Sequence, residues 1–322
     1  MKFLIRLAVV LIFSIPSFSS ADELVLTTGP IGSDSWEIGS YISSIFEDAG
    51  KNTGITINVV PSHDYLQNIK RLSSGAVDMA IVDVLSLYRS NIEKERPEKR
   101  HGREIYNLSM IGIEVEHFVL FSNLIDKNDV SDLSDKTLYS GQYGDIQRYG
   151  AMMITDCLGF SASTDGGDKL DTDTAVELLI DGVFDGGIFS GVPPINHLVR
   201  LRNFMGKNAS FLEVPEEIYH TIRETCPIWF RYTISPGTYP DQKEPIKTIA
   251  RPIFLLTTDL LDDRTARAIV EVIFDGKDKF FSPFAPIPIT IDMNIEHATT
   301  TLHPGAASYY EKRGFTVSAE GD

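Results

Sequence analysis

The side chains that most often carry out catalysis are scattered in this sequence. Seven histidines are present, and none lies three or four residues from another, so they do not form a metal-ligand pattern. A G-x-S-x-G elbow, an H-E-x-x-H pair and a Walker lysine are all absent. The acidic stretch at residues 165–173 lacks EF-hand spacing, and we interpret it as a loop that leads into a helix cap. The sequence favours ligand binding over catalysis and predicts no catalytic residue, metal site or cofactor.

Residues 24–39 have the pattern expected of a ligand-binding turn. Residues 24–26 predict a short buried strand, and residues 27–33 are too rich in glycine, proline and hydroxyl side chains to continue it. Apolar residues then recur at helical spacing, at Ile38, Tyr41, Ile42, Ile45 and Phe46. A strand that turns into a helix in this way leaves backbone N–H groups free to bind a ligand. Many α/β proteins have such a turn with nothing bound.

The first 21 residues have the composition of a secretory signal peptide. Lys2 and Arg6 make the start positive, residues 7–18 are apolar, and residues 19–21 supply small side chains for cleavage. The apolar part is short for a membrane span, so a retained anchor is the less favoured alternative. We therefore predict an exported, periplasmic protein.

The net charge of the chain makes one class of partner, nucleic acid, unexpected. The formal net charge is −16, and nucleic acid is not an expected partner because its phosphates need a face rich in Lys and Arg.

The chain contains two cysteines, Cys157 and Cys226. In an oxidising compartment they form either a disulfide or two buried thiols, and the sequence leaves both states open.

Strand and helix patterns alternate through the first third of the chain. Ile55–Val60 predicts a strand, residues 64–74 a helix, and residues 77–82 a buried strand. Asp83 is expected to begin another helix. Residues 106–121 are rich in β-branched and aromatic side chains and predict two strands.

The same alternation continues to the end of the chain. Strands are predicted over residues 136–140, 184–189 and 249–261. Helices are predicted from about Asp145, over residues 175–180, over Asp263–Phe274 and near residues 304–313. A further helix, which proline begins, is predicted after the Gly-Pro turn near residue 193. Short connections between alternating strands and helices indicate an α/β fold with mainly parallel sheets. Ligands in such sheets bind beyond the carboxyl ends of the strands.

Six segments, in order, resemble one family: the TAXI-type substrate-binding proteins of tripartite ATP-independent periplasmic (TRAP) transporters. The resemblance spans nearly the whole chain after residue 21. The segments are TTGPIGSDSWEIG (27–39), YLQNIKRLSSGAVD (65–78), VSDLSDK (130–136), DGVFDGGIFSGVP (181–193), GTYPDQ (237–242) and HPGAASYYEKRG (303–314).

The resemblance implies a type II periplasmic-binding-protein fold, in which hinge strands join two α/β lobes and the ligand lies between them. Lobe I would comprise residues 22–119 plus 236–322, and lobe II residues 120–235. The resemblance also implies a receptor, expected to be monomeric, that captures a small organic acid, amino acid or related polar metabolite. It would deliver this ligand to the membrane subunits of a TRAP transporter.

The loops that would face the ligand depart from the family's pattern, whereas the scaffold segments keep it. Ser33 to Trp36 replace Gly-Thr-Tyr-Tyr, and His63 to Tyr65 replace Gly-Gly-Ser. The predicted ligand-binding residues are Gly32, Ser33, Asp34, Ser35, Trp36, His63, Asp64, Tyr65, Asn68, Asp83, Tyr143, Gly144, Asp145, Gln147, Arg148, Ser190 and Gly191.

Three of these loop positions carry carboxylates where the family has small or hydroxylic residues, namely Asp34, Asp64 and Asp145. Buried carboxylates beside an anionic ligand cost several kcal/mol. A ligand that carries an ammonium group or many hydroxyls would suit them better. The alternative is that the three acids cap helix N-termini.

Aromatic and basic residues in the same loops suggest further contacts. Trp36, Tyr65 and Tyr143 could offer flat faces to a ligand. Arg148, with Gln147 beside it, is the nearest candidate to pair a ligand carboxylate. Two other functions remain open at this point: a sensory subunit that presents its ligand to a membrane histidine kinase, and an enzyme on the same scaffold. The export signal and the lack of a positioned nucleophile or base argue against the enzyme.

Overall fold

The structure is a computed structural model that describes residues 22–94, 102–142, 146–160, 169–275, 277 and 279–317. The predicted signal peptide lies outside these residues. So do three predicted site residues, Tyr143, Gly144 and Asp145, and the first half of the acidic stretch at 165–173.

Strands and helices alternate along most of the described chain. The strands are β1 (Asp22–Thr27), β2 (Ile55–Val60), β3 (Met79–Asp83), β4 (Ile105–Phe121), β5 (Leu138–Tyr139), β6 (Gly186–Gly191), β7 (Ala209–Leu212), β8 (Phe230–Ile234), β9 (Ile246–Thr258), β10 (Lys279–Phe280) and β11 (Ile289–Thr290). The α-helices are α1 (Asp34–Thr53), α2 (Tyr65–Ser73), α3 (Val84–Lys94), α4 (Ile146–Leu158), α5 (Thr172–Ile180), α6 (Asn196–Met205), α7 (Glu216–Thr225), α8 (Asp263–Phe274), α9 (Ile291–His297) and α10 (Pro304–Lys312).

One mixed sheet runs through the described chain, in the order β2-β1-β3-β9-β4-β6-β5, with β7 paired to β4 and β8 to β9. β1 is parallel to β2 and β3, and β5 is parallel to β6. The pairs that involve β4 or β9 are antiparallel. The carboxyl ends of β1, β2 and β3 therefore share one edge, where α/β folds usually bind ligands.

The α/β class predicted from the sequence is confirmed, but the sheet is mixed rather than mainly parallel. Parallel pairing holds towards the two edges of the sheet. The centre differs because β9 returns from the last third of the chain and inserts between β3 and β4, antiparallel to both. This return pairs residues as distant as Ile105 and Thr258, so local periodicity does not reveal it.

Residues 106–121 belong to one long strand, β4, and not to the two strands predicted. The register of β4 against β9 shifts between Asn107 and Ser109 and again between Met110 and Gly112. Such bulges twist a strand without ending it. The later part of β4 also pairs with β6 and β7, so this strand connects the two sides of the sheet.

Most helix ends agree with the capping signals in the sequence. The Asp64 carboxylate accepts a hydrogen bond from the Gln67 N–H, so α2 begins at Tyr65. Gly75 follows α2 with φ +74°, a left-handed conformation that favours glycine. α6 begins at Asn196 and not at a proline, because the cis Pro193–Pro194 pair lies in the preceding turn.

A disulfide resolves the question that the cysteines leave open. Cys157, in α4, is bonded to Cys226, the residue that follows α7, with a Cα–Cα distance of 6.4 Å. The bond links α4 to the end of α7, 69 residues later in the chain. No helix in the described part of the chain is long and apolar enough to cross a membrane.

Candidate functional site

A cavity of about 430 Å³ lies beyond the carboxyl ends of β1, β2 and β3. This volume is typical of small-molecule sites. The loops after these strands line most of it, and the segment between β5 and α4 lines the rest. The lining residues are Gly29, Pro30, Ser33, Ser35, His63, Asp64, Tyr65, Leu66, Ser86, Arg89, Gln142 and Ile146.

The predicted site residues divide into two groups. Five of them line the cavity together: Ser33, Ser35, His63, Asp64 and Tyr65. The described residues that do not line it are Gly32, Asp34, Trp36, Asn68, Asp83, Gln147, Arg148, Ser190 and Gly191. The loops before α1 and α2 thus meet at the cavity, whereas most of the other predicted residues lie outside its lining.

Hydroxyl groups organise the loop between β1 and α1. Ser35 Oγ accepts a hydrogen bond from the Gly29 N–H at 3.1 Å and lies 3.2 Å from Ser33 Oγ. Ser33 Oγ in turn accepts from the Trp36 N–H at 3.3 Å, which caps the first turn of α1. These bonds fix the loop that forms one wall of the cavity. Gly32, at φ +84°, lies at the exposed tip of the same loop.

Asp34 neither caps α1 nor lines the cavity. The backbone N–H of Val192, in the turn between β6 and α6, interacts with its carboxylate. Desolvation raises the pKa of Asp34 above its ordinary value, although the residue keeps much of its surface in contact with solvent. The contact joins two segments that are far apart in the chain.

The loop between β2 and α2 places a helix cap and a phenol at the cavity. Asp64 caps α2, so the capping interpretation holds for this residue while it also lines the cavity. The His63 N–H donates to Gln67 Oε1 at 2.9 Å, which completes a reciprocal capping arrangement. The Tyr65 hydroxyl donates to Glu114 Oε1 at 3.2 Å, beneath the cavity.

Asn68 supports the site from below. Its Oδ1 accepts from Thr27 Oγ1 at 2.8 Å, and its Nδ2 donates to the carbonyls of Thr28 and Ile81 at 3.0 and 2.9 Å. The side chain is completely buried. It joins the end of β1 to β3, and both Nδ2 hydrogens are already in use.

The predicted residues of α4 and β6 lie outside the cavity lining. Gln147 Nε2 donates to the Ile188 carbonyl at 3.2 Å. Gly141, at φ +100°, lies so close to α4 that an added Cβ would stand 2.9 Å from the Arg148 nitrogen. This close approach explains the glycine before α4. Gly191 ends β6 opposite Val115.

A buried charge cluster, which we define as Asp83, Glu114, Glu116 and Arg251, lies beneath the cavity. Arg251 Nε donates to Asp83 Oδ2 at 3.0 Å, and its two terminal nitrogens donate to Glu114 and Glu116. Burial by itself would lower the pKa of Arg251, but the three carboxylates outweigh it and raise that pKa. The cluster joins β3, β4 and β9, the strands at the centre of the sheet.

The electrostatic environment of Glu114 differs from that of an ordinary surface acid. Burial, together with the charges of Asp83, Glu116 and Asp34, raises the pKa of Glu114 to about 7, against the opposing effect of Arg251. Burial also raises the pKa of Tyr65, with the charge of Glu114 as the next cause. The Tyr65 phenol therefore remains a hydrogen-bond donor at neutral pH.

A second buried polar pair positions the turn that contacts Asp34. The Tyr239 hydroxyl accepts from the Ile195 N–H at 3.0 Å and lies 2.8 Å from His117 Nε2. The Val115 carbonyl can only accept, so His117 Nδ1 carries the ring proton and donates to it at 3.0 Å. Nε2 of the neutral ring then accepts from the Tyr239 hydroxyl. Burial lowers the pKa of His117 to about 4, so the ring is neutral.

Several important residues were missed by sequence reasoning. Ser86 and Arg89 line the cavity from α3, and Glu114, Glu116 and Arg251 form most of the charge cluster. A signal for the cluster was present. Single charges inside the apolar runs of residues 105–121 and 249–258 must be paired when those strands are buried, because an isolated buried charge is too costly.

The arrangement is suited to holding a solute. The cavity offers hydroxyls, a phenol and a guanidinium on a rigid frame of strand ends and helix caps. Among the described residues, no group of three or more His, Cys, Asp or Glu side chains is placed to hold a metal ion.

A model of the NMT1-like family matches residues 26–314, and no curated protein sequence gives a match. XAC2383 from Xanthomonas citri, bound to ATP, aligns at 12% identity over 79% of this chain and 83% of its own, with a TM-score of 0.47. The periplasmic aliphatic sulphonate binding protein SsuA from Escherichia coli aligns at 11% identity over 79% and 74%, with a TM-score of 0.44. A TRAP periplasmic solute binding protein from Anaerococcus prevotii, with bound D-glucuronate, aligns at 11% over 78% and 76%, with a TM-score of 0.40.

Proposed function

The chain belongs to the NMT1-like family, and from this premise we propose that it is an exported receptor that captures a small organic solute. The observation that carries the proposal is the convergence of four loops on one cavity. The loop before α1, the start of α2, α3, and Gln142 with Ile146 all line the same space. Ser33, Ser35 and Asp64 are held there by hydrogen bonds from backbone N–H groups. A preformed concave site with a few fixed polar groups is the usual form of a small-molecule site.

We assign the cleft to the junction of two lobes, residues 22–119 plus 236–322 and residues 120–235. The long strands β4 and β9 would act as hinge strands, since both pair with neighbours on either side of the sheet. The interaction between Asp34 and Val192 would then connect the two lobes when they close over the solute.

Delivery to the membrane subunits of a TRAP transporter is the finer part of the proposal. Its support is the order of the six TAXI-like segments and the predicted signal peptide. A gene for a fused TRAP permease beside this one would support delivery to a transporter. A neighbouring membrane histidine kinase gene without a permease would contradict it and favour a sensory subunit.

A thermal-shift screen of small metabolites tests the receptor function. A solute that binds only the folded protein raises its melting temperature, and the size of the shift reflects affinity. We expect at least one small polar metabolite to stabilise the wild-type protein. Gln142→Trp should abolish the shift, because Gln142 is exposed yet lines the cavity and an indole there would fill it.

Ser44→Trp is the matched control, since Ser44 is exposed on α1 and does not line the cavity. This variant should respond like the wild type. If the same compound stabilises Gln142→Trp as strongly as Ser44→Trp, the solute binds elsewhere and the assignment of the cavity is wrong.

A further inference from the structure

The charge cluster beneath the cavity contains three carboxylates and one guanidinium. Arg251 is completely buried and bonds all three acids at once. Carboxylates in such a setting need compensation, because removing a charge from water costs several kcal/mol. Arg251 is the cation that lowers the pKa of Glu114, whereas Asp83, Glu116 and Asp34 act in the opposite direction. The negative charge of the cluster thus exceeds what its own guanidinium neutralises.

Two of the three carboxylates are hydrogen-bonded at both oxygens and are removed from solvent. Glu116 Oε1 bonds Arg251 and the Trp229 indole N–H, and its Oε2 accepts from Ser190 Oγ at 2.5 Å. Asp83 Oδ2 bonds Arg251, and its Oδ1 caps α3 by accepting from the Ser86 N–H at 2.9 Å. Both side chains are completely buried.

Glu114 is the member of the cluster that faces outward. Its side chain is 16% exposed, while those of Arg251, Asp83 and Glu116 are at 0%. One of its oxygens bonds Arg251, and the other accepts only the longer 3.2 Å bond from the Tyr65 hydroxyl. A carboxylate oxygen can accept two hydrogen bonds, so this oxygen retains capacity beside Tyr65, which lines the cavity.

The cluster reaches the cavity through two lining residues. Tyr65 lines the cavity and bonds Glu114, and Ser86 lines it and bonds Asp83. Ser86 Oγ is buried and has no hydrogen-bond partner among the described residues. A buried hydroxyl without a partner is costly, and in a cavity wall it marks a place where a ligand atom completes the bonding.

We propose that the cavity selects a solute with a protonated amine, which pairs with the Glu114 carboxylate and hydrogen-bonds the hydroxyls of Tyr65 and Ser86. This inference rests on the proposed receptor function. An ammonium group has three N–H donors, and Glu114, Tyr65 and Ser86 supply three oxygens. The ammonium charge would also offset the excess negative charge of the cluster.

Other charged groups at the cavity limit where the amine lies. Arg89 lines the same cavity, with its guanidinium 5.3 Å from the ring centre of Tyr149. Asp64 is engaged as the cap of α2. The amine is assigned to Glu114, Tyr65 and Ser86, and the Arg89 guanidinium would pair with a hydroxyl or an acidic group of the same solute.

The test is a titration of matched compounds that share a carbon skeleton and differ only in their end groups. Putrescine and γ-aminobutyrate carry amines, whereas butanediol and succinate do not. The same pairing is applied to every compound that raises the melting temperature in the metabolite screen. We expect the amines to stabilise the protein and their alcohol or acid counterparts not to do so. Glu114→Gln should bind the amine at least about tenfold more weakly than the wild type.

Proton release provides a second readout. Because the pKa of Glu114 is raised to about 7 in the unliganded protein, a bound ammonium should expel a fraction of a proton at pH 7. The calorimetric binding enthalpy should then depend on the ionisation enthalpy of the buffer, and Glu114→Gln should remove this dependence. A neutral solute would release no proton from Glu114.

Two controls keep the inference falsifiable. Tyr65→Phe keeps every charge and should weaken amine binding several-fold even if Glu114→Gln disturbs folding. Glu271→Gln removes an exposed acid of α8 and should leave binding unchanged. Stabilisation by acids or alcohols but not by amines, or unchanged amine binding by Glu114→Gln, would overturn the inference and leave the receptor function standing. No stabilisation by any compound would contradict both.

Discussion

At the scale of single residues, Arg251 is the cation that stabilises the carboxylates of the charge cluster. Its guanidinium is buried among Asp83, Glu114 and Glu116. Arg251→Ala would leave these carboxylates without a cation, and removing one partner of a buried pair typically costs about 3–5 kcal/mol. We therefore expect a loss of at least that size in the free energy of unfolding, measured by urea denaturation.

Arg103→Ala is the comparison for this prediction. Arg103 pairs with Asp259 at 3.1 Å, but both side chains are substantially exposed. Exposed pairs contribute about 0–1 kcal/mol. If the two alanine variants lose similar amounts of stability, the cluster does not have the structural role assigned to it.

Glu114 should make stability depend on pH in one direction. Its pKa is raised from 4.5 to about 7 by burial and neighbouring acids, so the folded protein binds a proton more tightly than the unfolded chain. The stabilisation from this group is complete below pH 4.5 and is lost as pH rises towards 7. The free energy of unfolding of the wild type, relative to Glu114→Gln, should fall over that interval and then level off.

His117 should act in the opposite direction. Burial lowers its pKa from 6.5 to about 4, so the unfolded chain binds the proton more tightly. Its contribution is complete above pH 6.5 and is lost as pH falls towards 4. Unfolding of the wild type, relative to His117→Gln, should become easier over that acidic interval. A flat difference curve would show that the ring is accessible to protonation in the folded protein.

The sequence predicted residue roles well where the role is local. Asp64 was a candidate cap or ligand contact, and both aspects depend on its position just before a helix. Asn68 was a candidate ligand contact, yet its partners Thr27, Thr28 and Ile81 come from other strands. The importance of Glu114 depends on Arg251, which lies far along the chain. Such long-range pairing is not visible in local spacing.

At the scale of elements, the disulfide between α4 and the end of α7 is expected to stabilise the fold. A closed loop of this length restricts the unfolded chain, and native disulfides typically contribute about 2–4 kcal/mol. A Cys157→Ser, Cys226→Ser double variant should lose about that much free energy of unfolding. Reductant should destabilise the wild type to the same extent and leave the double variant unchanged. A reductant effect on the double variant would point to another cause.

The elements themselves show where sequence patterns succeed. α8 matches its predicted bounds, and β2 does as well, because periodicity and caps are local signals. The predictions for β4 and β9 were less accurate: β4 was predicted as two strands, and β9 over residues 249–261. β4 continues through two bulges, and the place of β9 between β3 and β4 depends on tertiary pairing. The mixed centre of the sheet follows from that pairing.

At the scale of the whole molecule, the account describes a cavity that separate parts of the chain build together. The loops after β1, β2 and β3 were predicted to converge because parallel strands end at one edge. The family resemblance also predicted the segment at residues 141–147 as a binding loop, and Gln142 and Ile146 line the cavity. The interaction between Asp34 and Val192 was not predicted, since it joins segments that are far apart in the chain.

The most direct test of this account is a crystal structure of the protein with the compound that most raises its melting temperature. We expect one molecule of the compound in the cavity between the Ser33–Ser35 loop and Gln142, within hydrogen-bonding distance of Tyr65 and Ser86. A compound bound at another surface, with this cavity empty, would contradict the central claim that the cavity is the solute-binding site.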